Sequence, residues 1–147
     1  MTTQSPRHAA GMAVRRAVLG DSHVDRAEAA KTDFDAPFQA LITESAWGTV
    51  WASPAISRRE RSMLTIALLA ALGHDEELAM HCRACARTGA GPEDVREALM
   101  HVAVYAGVPA ANKALKTARA ALAEAGFALP PADMTGGEAS GEETDHD

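Results

Sequence analysis

Aromatic residues are scarce in this chain: three Phe, two Trp and one Tyr in 147 residues. Long hydrophobic runs are scarce too. The apolar stretch from Met63 to Leu72 gives ten residues interrupted by Thr65, short of the roughly 20 that a bilayer-spanning helix needs. No membrane partner is therefore expected. Met1 to Gly11 contains no apolar h-region, so no secretory signal is expected and the cytoplasm is the expected compartment. Lys and Arg are absent from residues 128–147, which hold six of the chain's 20 acids. The net charge of −6 arises entirely there, because residues 1–127 balance 14 acids against 14 bases. Without a net basic face, no nucleic-acid partner is expected. Rich in Gly, Glu and Asp, residues 128–147 read as an acidic, disordered tail behind a single domain over 1–127. Strand-type alternation is also missing, which leaves an all-α fold.

Gly and Pro divide the domain into helices. Pro6 to Leu19 is amphipathic and ends at Gly20. Asp21 or Ser22 caps a short helix through Ala30. Thr32 or Asp33 caps a helix over Phe34 to Trp51, weakened in its middle by Gly48. Ser57, with Glu60 three residues on, forms a capping box for a central helix closed by Gly73. His74 or Asp75 starts the next, with Gly89 as C-cap. Gly91-Pro92-Glu93-Asp94 opens a helix to Ala106, and Pro109 starts the last, ended by Gly126. The central helix is apolar nearly all round, which predicts burial on every side. A domain this small buries such a helix most simply by self-association, so a homo-oligomer is expected.

Arg58, Arg59 and Arg61 occupy the first turn of that helix, where the positive end of the macrodipole disfavours cations. Something negative belongs beside them, either a protein carboxylate or a bound anion. Both tryptophans, Trp47 and Trp51, lie just upstream at i, i+4, with Trp47 three residues after Glu44. His74, Glu77, His81 and Cys85 follow at steps of three, four and four, on one helical face. Glu77 can reach His81 and tune its imidazole for general acid–base work. The same spacing also fits a structural histidine paired with a surface Glu. The order H-x-x-E-x-x-x-H is not the zinc-protease pattern, and no metal is expected. Glu97, His101 and Tyr105 repeat every four residues and read as a buried polar network. Cys82 and Cys85 form a lone C-x-x-C in mid-helix. Redox pairs of this kind draw their low pKa from a helix N-terminus, so these two read better as small buried hydrophobes.

Taken in order, Val18 to Val24, Phe34 to Gln39, Glu44 to Trp51, Arg59 to Ser62, Gly73 to His81 and His101 to Asn112 resemble the 4-carboxymuconolactone decarboxylase family, within the alkylhydroperoxidase D-like superfamily. The resemblance covers about residues 11 to 120. It implies a helical bundle of six to seven helices and a hexamer. It also implies a cofactor-free decarboxylation of 4-carboxymuconolactone, a dicarboxylate lactone, to 3-oxoadipate enol-lactone and CO2. That reaction belongs to the protocatechuate branch of the β-ketoadipate pathway. The superfamily's peroxidases carry C-x-x-C-x-x-x-H. If His81 fills the histidine position, His74 and Glu77 stand where the cysteines would be, and Cys82 and Cys85 fall on the wrong side.

With that reaction in view, His81 is expected to deliver the proton, oriented by Glu77. Arg58 and Arg61 would hold the retained carboxylate and the developing oxyanion, leaving Arg59 for a structural or intersubunit pair. Trp47 would lie beside the departing carboxylate. Glu44 would position an arginine or share the proton with His81, and His74 would line the cleft. Two other readings stay open: a thiol peroxidase or disulfide reductase using Cys82 and Cys85, and a non-catalytic oligomeric ligand-binding protein.

Overall fold

Glycine and proline set the helix boundaries, and the computed structural model, which describes residues 4–130, follows them closely. Helix α1 (Pro6–Leu19) begins at Ser5, whose hydroxyl accepts from the His8 amide, with Pro6 in the first turn. Gly20, at φ 88°, turns the chain directly into α2 (Asp21–Ala30). Then come α3 (Ala36–Ile42), a π-helix (Thr43–Trp51), α4 (Arg58–Leu72), α5 (Asp75–Thr88), α6 (Pro92–Tyr105) and α7 (Val108–Glu124). No strand occurs among the described residues. The capping box at Ser57 and Glu60 is formed in full. Gly73 and Gly89 close α4 and α5 in the left-handed conformation.

The single helix expected over Phe34 to Trp51 is not what forms. Residues 33–35 make a turn, α3 starts at Ala36, and from Thr43 the chain widens to the π-helical form. The Thr49 hydroxyl donates to the Glu44 carbonyl five residues back, the step proper to that wider helix. Gly48 is no weak point. A β-carbon there would lie 2.6 Å from the Arg7 carbonyl, and one on Gly11 would lie 2.1 Å from the Thr43 carbonyl. The two glycines let α1 and the π-helix touch backbone to backbone.

Two cores result. Helices α4 to α7 enclose Ile66, Leu78, Val95, Leu99 and Val102, with Ala111, Ala114, Ala118 and Ala121 giving α7 a narrow face for close approach. Helices α1 and α2 and the π-helix enclose Val18, Leu19, Val24, Trp47 and Trp51. The element common to both is α5: Leu78, Cys82 and Cys85 face the first core, and Ala84 faces the second. The central position expected for α4 therefore belongs to α5. Helix α4 buries Ser62, Ile66 and Ala70 but leaves Leu64, Leu68 and Leu72 open on its far side at 57, 63 and 67% exposure. Phe34 and Phe38 are exposed as well. Packing continues past position 127, since Leu129 lies against the first core. The remainder of the expected acidic tail, from 131, lies outside the described residues.

The glycine contact gives a direct test. Gly11→Ala or Gly48→Ala should each cost about 2–3 kcal/mol by forcing the two helices apart, measured by thermal or urea unfolding. Wild-type stability in both variants would show that the helices do not approach so closely.

Candidate active site

Helix α5 opens with Asp75, Glu76 and Glu77 in its first turn, where the macrodipole favours acids. By its second turn it has passed beneath the π-helix, and His81 is 93% buried there, at 7% exposure. The imidazole lies against both indoles. Its centroid is 6.3 Å from Trp47 and 5.8 Å from Trp51, with interplanar angles of 14° and 20°. The indoles meet each other at 5.3 Å. Burial, reinforced by His23 and opposed by Glu77, pushes the His81 pKa down to about 4. The ring is therefore neutral at pH 7 in the free protein. Its Nδ1 is buried without a hydrogen-bond partner among the described residues. An orphan of this kind costs about 1–3 kcal/mol, so it calls for a functional explanation.

Glu77 does not orient this ring. It is exposed, and no hydrogen bond joins it to His81. The two share a helical face, but that face enters the protein between them, so Glu77 acts only through space. His74 is exposed at the α5 N-cap and makes no capping bond. Glu44 accepts from the Ser5 hydroxyl at the start of α1 and forms no ion pair with an arginine. Arg58 is exposed and unpaired among the described residues. Arg61 donates from Nη2 to the Ser53 carbonyl at 3.0 Å, and its Nε is buried without a partner among the described residues. No polar contact joins Arg58 or Arg61 to His81. Arg59 takes the structural role expected of it, gripping Asp94 with two donors, one at 2.9 Å. The negative groups at the start of α4 are thus the protein carboxylates Glu60 and Asp94.

A cluster not singled out from the sequence lies between α2 and α5. A cleft of about 190 Å³ there is lined by Ser22, His23 and Arg26 from α2 and by Arg83 and Arg87 from α5. Leu19, Met80 and Ala84 form its apolar lining and belong to the core that holds the tryptophans. Arg83 reaches Glu124 at 3.4 Å. Arg26 and Arg87 have no ion pair among the described residues. The His23 pKa is lowered by partial burial and by Arg15, Arg26 and Arg83. The sequence signals were present: His23 and Arg26 are three apart, and Arg83 and Arg87 four apart, each pair on one helical face.

Cys82 and Cys85 are free and buried, and burial pushes their thiols up to about 12 and about 11. A thiolate is the reactive form, so neither is poised for peroxide or disulfide chemistry at neutral pH. Among the described residues, no three His, Cys, Asp or Glu side chains gather to hold a metal. His101 and Tyr105 are not a buried network. They stack at 6.0 Å on the surface, because α6 turns that face outward.

The depressed His81 pKa has a consequence for stability. In the unfolded chain His81 takes up its proton near 6.5, in the fold only near about 4. The unfolded state binds more protons across that window, so stability should fall as pH drops from 6.5 toward 4. Urea unfolding as a function of pH should show a shallower decline for His81→Gln. Equal slopes would show that burial does not perturb His81.

Residues 36–120 match the carboxymuconolactone decarboxylase family. The chain is 42% identical to a 4-carboxymuconolactone decarboxylase of Acinetobacter baylyi over 122 residues, 83% of this chain and 91% of that protein. It is 42% identical to the nitrosuccinic acid decarboxylase of Metarhizium robertsii over 71% of this chain and 73% of the relative. A Pseudomonas putida sequence named 4-carboxymuconolactone decarboxylase matches at 53% over 45 residues, 31% of this chain and 94% of the relative. With its helices, its buried histidine and a matched region spanning most of the domain, the chain belongs to the carboxymuconolactone decarboxylase family.

Proposed function

We propose that this protein decarboxylates 4-carboxymuconolactone to 3-oxoadipate enol-lactone and CO2, in protocatechuate catabolism and without a cofactor. The observation that carries the reading is a buried imidazole with an unpartnered nitrogen, roofed by two indoles, in a chain so similar to a decarboxylase of that name. The substrate supplies its own electron sink. As the bond from the ring γ-carbon to the carboxylate breaks, its electron pair moves through the ring double bond onto the lactone carbonyl. The resulting dienolate then takes a proton at the carbon α to that carbonyl. The overall change consumes one proton, which the protein has to supply.

His81 is the group we assign to that proton. Neutral in the free protein, it gains a proton when a dianion binds nearby, since an adjacent negative charge favours the charged form. The imidazolium can then protonate the α-carbon and return to the neutral state. The departing carboxylate belongs beside Trp47, where poor solvation destabilises the ground state more than the charge-delocalised transition state. Glu44, through Ser5, and Arg61, through Ser53, act as supports of the surrounding backbone. Glu77 contributes through its field. Arg58 and His74 are free to contact a ligand or a neighbouring subunit.

We further propose a homo-oligomer, a hexamer on the family resemblance, with the cytoplasm as its compartment. Leu64, Leu68 and Leu72 support the first point as an open apolar stripe at i, i+4, i+8. Two free thiols and the lack of a membrane-crossing helix among the described residues fit the second.

Incubation with 4-carboxymuconolactone should release CO2 with loss of the substrate's ultraviolet absorbance, and no turnover would end the proposal. His81→Gln should lower kcat by about 100-fold or more, while Glu77→Gln should change it little. Near-normal turnover in His81→Gln would remove the acid role. Sedimentation of the wild type should give an oligomer that Leu68→Glu weakens. A wild-type monomer at micromolar concentration would refute the assembly.

A further inference from the structure

We propose that the cleft between α2 and α5 is a carboxylate-binding subsite, in which Arg26 and Arg87 hold the retained carboxylate of a small dicarboxylate substrate. The assignment of substrate class rests on the decarboxylase reading; the anion site itself rests on the geometry of the cleft. Three guanidinium groups and an imidazole line a space of about 190 Å³. Arg26 and Arg87 have no ion pair among the described residues. Arg83, the third, spends its charge on Glu124 at 3.4 Å, at the outer side shared with α7.

The backbone is shaped to place one of these groups. The Arg87 guanidinium lies over Gly20, where a β-carbon would come 2.7 Å from its Cζ. Gly20 also carries a φ of 88°, which other residues rarely adopt. The junction of α1 and α2 thus admits the guanidinium at the edge of the cleft that Arg26 also lines. The apolar lining of Leu19, Met80 and Ala84 excludes water from one side, which strengthens a guanidinium–carboxylate contact.

Position relative to His81 gives the subsite its use. Ala84 lies one helical turn beyond His81, and His23 is near enough for its charge to act on the His81 ring. A substrate anchored by one carboxylate in the cleft can present its ring to His81 and its other carboxylate to the tryptophans. The anchored carboxylate keeps its charge throughout the reaction, so its contacts bind ground and transition states alike. Loss of an arginine should therefore raise KM and leave kcat nearly unchanged.

Succinate, which cannot react, serves as the probe. Calorimetry on the full chain should show binding by the wild type, weakened about tenfold or more in Arg26→Gln and in Arg87→Gln. The surface variant Arg119→Gln should bind as the wild type does. Circular dichroism melts establish that each variant is folded. No binding by the wild type, or equal affinity in all four proteins, overturns the subsite. The two readings separate cleanly. Turnover with unchanged KM in both cleft variants sinks the subsite and spares the reaction. Cleft-dependent succinate binding without turnover of the lactone sinks the reaction and spares the subsite.

Discussion

The approach of two backbones at Gly11 and Gly48 is the contact on which the rest of the molecule depends. With no side chain on either residue, α1 lies directly on the π-helix. Ser5 extends the contact at its end, capping α1 and donating to Glu44 at the start of the π-helix. The π-helix in turn carries Trp47 and Trp51 over His81. A methyl group at the crossing would thus be felt at the imidazole, which it never touches. Glu44 looks like chemistry in the sequence and serves as a strut in the fold.

Burial in α5 has one physical effect with two outward signs. Desolvation disfavours charge, so it drives the His81 pKa down and the pKa values of Cys82 and Cys85 up. All three groups are uncharged at neutral pH. For the thiols this keeps the thiolate, the reactive form, scarce at neutral pH. For the imidazole it makes the charged state conditional on an anion nearby. The cationic groups that could attract that anion stand on the same helix, two and six residues further on, in Arg83 and Arg87.

Much of this was legible in the sequence because it is local. Helix ends follow Gly20, Gly73, Gly89 and Gly126, the capping box follows Ser57 and Glu60, and the structural role of Arg59 follows from the 100° step between neighbouring helix positions. The π-helix was not legible, since Trp47 and Trp51 at i, i+4 share a face in either helical form. Spacing placed Glu77 and His81 on one face but said nothing of where that face goes under cover. The cleft needed tertiary knowledge outright: His23 and Arg26 meet Arg83 and Arg87 only because α2 lies beside α5. The open stripe of α4 sits between these cases. Its apolarity was plain, but the neighbours that cover only one side were not.

Trp47 and Trp51 are the chain's entire complement of tryptophan, and both rest against one titratable ring. Their emission is therefore a private channel to His81. An imidazolium quenches an adjacent indole more strongly than a neutral imidazole does, and no third indole dilutes the signal. Protonation of the ring, its covering by a ligand, or a slip of the π-helix would each alter the whole of the protein's long-wavelength fluorescence. The fold that shields the imidazole from water has also made it visible to light.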